Sequence, residues 1–285
     1  MRFWKAFAWL MVLCVLLSGC NAPAGGGEDP GDNAPENLEE DMKKDPVVTT
    51  QEKIINVATH FDYSPTDAAI PYRYYVPADY SEEYAYPVLL FLHGAGERGS
   101  DNEAQLKNVM QLLFNDPDSP VYQSIVIAPQ CPSDTQWVNT PWAEGSYSVD
   151  AVEETQNLKN VLEVLDSFCN TYSVNKERVY VMGLSMGGFG TWDLIMRHGE
   201  LFKAAIPICG GADPSKADRL VNMPIATFHG DADRSVPVEG TREIVEAIRD
   251  AGGQNIQYEE IAGGGHNVWD HAASQKELIR WLYEQ

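Results

Sequence analysis

Val179-Tyr180-Val181-Met182-Gly183-Leu184-Ser185-Met186-Gly187-Gly188-Phe189-Gly190 is a short apolar run that passes through a tight turn into a glycine-rich helix start. Its centre, Gly183-Leu184-Ser185-Met186-Gly187, fits G-x-S-x-G. The pattern alone is weak, because a chain of this size contains one by chance about one time in ten. Its context gives it weight. A sharp strand-to-helix turn strains the backbone of the central serine, and only small neighbours such as Gly183 and Gly187 leave room for it. Such a turn lifts the hydroxyl above a sheet and places the free N–H groups of a helix start beneath it. The spacing predicts a strand over 178–182 and a helix over 186–197, with Ser185 poised between them as a nucleophile.

Outward from this turn, strands and helices alternate. Residues 54–59 and 70–76 read as two early strands, the second a period-two run of aromatics. Short apolar runs at 87–92 and 124–128 end at His93-Gly94 and Pro129, as strands buried on both faces do. Residues 149–172 carry Val161, Leu162, Leu165 and Phe168 at helical spacing. Strands follow at 204–208, 225–228 and 256–260. Helices follow at 238–251, closed by Gly252-Gly253, and at 272–282. The fold class is therefore α/β, a mostly parallel central sheet with helices on both faces. In such sheets ligands meet the carboxyl ends of the strands.

A serine hydroxyl attacks poorly until a base takes its proton. Of six histidines, His266 lies in Gly263-Gly264-Gly265-His266-Asn267 directly after the last strand, where the glycines let the loop fold back over the sheet edge. His93 ends a strand within another motif, and His229 precedes a pair of acids. His60, His198 and His271 read as packing or surface residues. The imidazole needs an acceptor on its other nitrogen. His229-Gly230-Asp231-Ala232-Asp233 offers two carboxylates. Asp231 sits at the turn and suits local capping, whereas Asp233 lies nearer where a histidine loop arrives. Asp233 is preferred, with Asp231 as the alternative. An oxyanion hole takes one N–H from the residue after the nucleophile, Met186, and a second from the loop His93-Gly94-Ala95-Gly96-Glu97-Arg98-Gly99. Ala95 is the first choice there and Gly96 the second. Glu97 and Arg98 are expected to hold that loop as a local ion pair.

Taken together and in this order, the motifs around His93, Ser185, Asp233 and His266 resemble the α/β-hydrolases related to polyhydroxybutyrate depolymerases, feruloyl esterases and acetyl-xylan esterases. They are similar also to bacterial members described as predicted peptidases or phospholipase/carboxylesterases. The order Ser, acid, His is the one this superfamily uses. The resemblance spans residues 52–285 and implies an α/β-hydrolase fold and a serine carboxylic-ester hydrolase, acting on a small-molecule or carbohydrate ester such as a feruloyl or acetyl group. It does not name the substrate. A serine peptidase of the prolyl-oligopeptidase type is the alternative, although such peptidases add a gating domain for which 52–285 leaves no length. A non-catalytic binding protein would leave Ser185, Asp233 and His266 together without a purpose. Many relatives carry a lid between the strands at 204–208 and 225–228, and no long insertion stands there in this chain.

The long loop 129–148 carries Trp137, Trp142 and Tyr147, and Trp269 follows His266. Trp137, Trp142 and Trp269 are candidates for an aromatic platform under a sugar ring or an aromatic acyl group. For Trp137 and Trp142 the plain alternative is that they pin the loop to the domain. Trp192, spaced helically with Phe189, reads as core.

The 285 residues carry a formal net charge of −22, which excludes a phosphate-neutralising nucleic-acid surface. Residues 1–19 read as an export signal, with Arg2 and Lys5 ahead of a short apolar run and Leu17-Ser18-Gly19-Cys20 after it. Those four residues resemble the bacterial lipoprotein box, which implies lipidation of Cys20 and an exported protein anchored on the outer face of the bacterial envelope. Residues 20–51 are acidic, poor in large apolar residues and rich in Gly, Pro and Asn, as a flexible tether is. At about 5–6 Å × √n, the 28 residues from Asn21 to Val48 set their ends about 25–30 Å apart. Cys131, Cys169 and Cys209 remain, an odd number, and no cysteine pair has zinc-ligand spacing. Neither a metal nor a cofactor is implied.

Overall fold

The structure, a computed structural model, describes residues 60–285. The signal segment, Cys20, the tether and the strand expected at 54–59 lie outside the described residues.

Eight strands form one sheet in the order β1-β2-β4-β3-β5-β6-β7-β8. They are β1 (Asp62–Tyr63), β2 (Tyr72–Tyr75), β3 (Tyr86–Leu92), β4 (Ile125–Pro129), β5 (Val174–Leu184), β6 (Ala204–Ile208), β7 (Ile225–Gly230) and β8 (Ile256–Ile261). β1 and β2 pair antiparallel with their neighbours, and from β4 to β8 every pairing is parallel. β4, β6 and β7 are buried along their whole length, which is why they read as unbroken apolar runs in place of an alternating pattern. The alternation is nonetheless present in the packing. Val88, Leu90 and Leu92 of β3 enter one core, while Leu89 and Phe91 enter the other. The first core is covered by α2 (Gln156–Thr171), α3 (Met186–Arg197) and α4 (Glu239–Asp250). The second is covered by α1 (Val109–Leu113), α5 (Trp269–Ser274) and α6 (Lys276–Tyr283). Helices on both faces of a mostly parallel sheet are the α/β-hydrolase arrangement expected above.

Three expectations move. The helix predicted from 149 starts at Gln156, because Thr155 takes an extended backbone and its hydroxyl caps the N–H of Leu158. The stretch ahead of it is held as a strap, with Val149 N–H on Asp213 Oδ2 and Arg197 on the carbonyls of Val149 and Val152. β5 begins at Val174, earlier than 178, through residues exposed enough to hide the strand from an apolar pattern. The last helix is two, α5 and α6, broken where Gln275 turns extended. Cys131, Cys169 and Cys209 are all free thiols.

Candidate active site

Ser185 sits between β5 and α3 with φ 53° and ψ −118°, in the left-handed half of the map that non-glycine residues rarely enter. Its surroundings enforce this. A Cβ at Gly187 would collide with the carbonyl of Leu92 at the end of β3, and one at Gly183 with the carbonyl of Gly187. The Ser185 N–H donates to Ile208 O at 2.8 Å, so the turn is tied to β6 as well.

The serine Oγ lies 2.7 Å from His266 Nε2, and His266 Nδ1 lies 2.6 Å from Asp233 Oδ2. Asp233 Oδ1 accepts the backbone N–H groups of Ser235 and Val236 at 2.8 and 3.0 Å. Burial pushes the Asp233 carboxyl upward. Hydrogen bonds from His229, His266 and the two backbone N–H groups outweigh it and hold the group well below the usual carboxylate range. Asp233 therefore stays ionised and keeps the proton of His266 on Nδ1, leaving Nε2 to face the serine. Of the two acids, Asp233 is the one that meets the imidazole. Asp231 accepts the N–H of Gly263 at 2.6 Å, so it anchors the histidine loop to the acid turn.

Met186 directly follows Ser185 in the chain, and Ala95 lines the same cleft as the serine. Met186 opens α3 and Ala95 opens a 3-10 turn over Ala95–Glu97, so neither N–H has a partner within its own helix. The loop comes close because Gly94 has no side chain. A Cβ there would stand 2.6 Å from Leu184 Cδ1 and 3.6 Å from the Ser185 Cβ. His93, assigned no role from the sequence, braces this loop. Its Nδ1–H donates to Gly94 O at 2.6 Å, and its Nε2 accepts the N–H of Cys131 at 2.9 Å. Burial lowers its pKa to about 4, which keeps the ring neutral and the acceptor available.

Two expectations are corrected. Glu97 and Arg98 do not pair. Glu97 is buried and accepts Asn108 Nδ2, while Arg98 donates to Ala95 O and Thr135 O and lies over the Trp142 ring. Trp137 is no platform: it is fully buried, and its indole N–H donates to His93 O at 3.0 Å. An indole needs a partner for its N–H when buried, and the end of β3 supplies one. Trp142 and Trp269 do border the cleft, a cavity of about 360 Å³ that Gly94, Ala95, Glu97, Ser185 and His266 also line. Trp269 stands edge-on to His266, with ring centres 5.4 Å apart.

A family model described as "Putative esterase" matches residues 65–279. The chain belongs to this esterase family. It is 28% identical over 197 residues to "Putative hydrolase MhqD" of Bacillus subtilis (strain 168), covering 66% of this chain and 89% of that protein. Among solved structures, a thermostable esterase superposes with TM-score 0.73 at 35% identity. That match covers 81% of this chain and spans only 64% of the other chain. A ferulic acid esterase shares the fold at TM-score 0.56 and 18% identity, over 79% of this chain and 96% of its own.

Proposed function

We propose that this member of the esterase family hydrolyses carboxylic esters, with Ser185 as nucleophile, His266 as base and Asp233 as the acid that orients it. The observation that carries the reading is the unbroken relay from Ser185 Oγ through His266 to Asp233, at 2.7 and 2.6 Å. In this mechanism His266 Nε2 takes the hydroxyl proton as Oγ bonds to the ester carbon. The carbonyl oxygen, now an anion, turns toward the N–H groups of Met186 and Ala95. The imidazolium gives its proton to the departing alkoxide, leaving an acyl group on Ser185. Water then repeats the sequence, with His266 again as base, and frees the acid.

The substrate class proposed is an acylated carbohydrate or a similar small ester. Trp142 and Trp269 both border the cleft that holds the serine and suit a flat ring. The test is kcat/KM for feruloyl and acetyl esters against a matched peptide. A clear ester preference is expected, and an equal or better rate on the peptide would put a serine peptidase in its place. Residues 1–20 support a further proposal, that the protein is exported and held at a membrane by lipid on Cys20. Cys20→Ser should release it from the membrane fraction or leave it unprocessed. A variant still tightly bound would end that reading.

A further inference from the structure

Asp233 has a second histidine behind it. His229, near the end of β7, is wholly enclosed, and its Nε2 lies 3.2 Å from Asp233 Oδ2 and 3.1 Å from Val236 O. Its Nδ1 lies 2.7 Å from Thr241 Oγ1, and that oxygen lies 3.0 Å from Gly210 O; with the ring proton on Nε2, the hydroxyl's single proton is donated to Nδ1. Carboxylate and carbonyl oxygens only accept hydrogen bonds. A lone pair on Nε2 would face two other lone pairs with no water to separate them, so Nε2 carries a proton.

We infer that His229 is a second N–H donor to the Asp233 carboxylate, a positioning residue that shares Oδ2 with His266 and sets how much negative charge that imidazole feels. The inference rests on the role proposed for Asp233. With His229 in place, Oδ2 takes the His266 N–H and shares the single His229 Nε2–H with Val236 O, while Oδ1 takes two backbone donors, so the carboxylate is held at both oxygens. Removing His229 leaves Oδ2 with His266 alone. The unshared charge then favours the imidazolium of His266, which needs a higher pH to become the free base that accepts the serine proton.

Other groups around His229 are accounted for. Glu260 of β8 is its register neighbour, and its carboxylate is engaged by Arg242 of α4 at 2.6 Å and by the Tyr258 hydroxyl at 2.7 Å. Cys209, after β6, is buried and kept as the neutral thiol by that burial. His266 meets Asp233 from the other side. Asp231 is occupied by Gly263 N–H. Asp233 is the carboxylate within reach of Nε2.

The experiment is the pH profile of kcat/KM on an activated aryl ester for the unmodified protein, His229→Leu and His229→Gln. His229→Leu is expected to move the acid limb upward by about one pH unit, a tenfold loss of active enzyme below the limb. His229→Gln, which keeps an N–H donor, should return the limb toward its original place. A fall in rate with the limb unmoved would mean that His229 only packs, and would overturn the inference. The unmodified protein gives an independent check if the leucine variant fails to fold. In ¹⁵N-histidine-labelled protein, the His229 Nε2 should show a bonded proton, and a bare Nε2 overturns the inference. Asp233→Asn separates the two readings. Near-normal activity there would sink the role of Asp233 itself. A dead Asp233→Asn beside an unmoved limb in His229→Leu would sink only the part played by His229.

Discussion

The serine turn at 183–188 and the arm at 130–148 border the same cleft and are held there by different means. In the turn, main chain meets main chain. Gly183, Gly187 and Gly188 each lie against a carbonyl that a Cβ would strike, so the strained φ of Ser185 is imposed from several directions. The arm is hung from side chains. Trp137 donates to His93 O, Thr155 Oγ1 donates to Trp137 O, and the Tyr147 hydroxyl donates to Asp193. Backbone contact gives a rigid platform for a nucleophile and tolerates no side chain at those glycines. Side-chain anchoring lets one residue of the arm hold while another, Trp142, borders the cleft. Orientation is a large share of a reaction barrier, so rigidity belongs under the reacting atom, and variation is cheapest in the arm.

The comparison sharpens most at Ser185. Ser185→Ala should lower kcat by about 10⁶-fold, as loss of a triad serine does elsewhere, while the thermal melt barely moves because alanine inherits the same backbone strain. Measurable turnover near the original rate would end the nucleophile assignment. Gly187→Ala addresses the platform itself. The new Cβ meets Leu92 O, and a loss of stability above about 4 kcal/mol, or no soluble protein, is expected in a denaturant titration. Near-normal stability would show that the turn is softer than its contacts imply.

In the arm the two tryptophans should separate. Trp137→Ala empties a fully buried site and should cost about 3–5 kcal/mol of unfolding free energy. Trp142→Ala should leave stability within about 1 kcal/mol and instead raise KM for an aromatic or sugar ester. The reverse pattern would exchange their roles.

The arm also carries a pH signature through His93. Its pKa falls from 6.5 in the unfolded chain to about 4 in the folded one, so the unfolded state binds the extra proton. Stability is then full above pH 6.5 and falls as pH drops toward 4, by up to about 3 kcal/mol at 1.4 kcal/mol per unit. Asp233, held low, adds its own loss only below about pH 4, where carboxylates of ordinary pKa take up protons in the unfolded chain. Chemical denaturation at pH 7 and pH 4.5 should therefore show a drop in the unmodified protein that His93→Gln largely lacks. Equal slopes in both would place the titration elsewhere.

The sequence alone determined what depends on neighbours along the chain. The strand, glycines and helix start around Ser185 specify their turn locally, since the constraint is steric and acts within a few residues. The same holds for the parallel strands, whose apolar runs follow from burial on both faces, and for the loop that returns His266 to the sheet edge. Tertiary structure decided what depends on partners far away in sequence. Trp137 and Trp142 are five positions apart in one loop and equally aromatic, and nothing local separates them; the free carbonyl of His93 does. Glu97 and Arg98 are adjacent and opposite in charge, yet Asn108 and Trp142 draw them apart. Asp231 and Asp233 differ because Gly263 takes the first and His266 the second. His93 and His229 owe their parts to Cys131, Thr241 and Val236, residues that face them only once the sheet is assembled. A hydrogen bond is made by direction and distance in space, and chain order reports those only where the backbone has no freedom to choose.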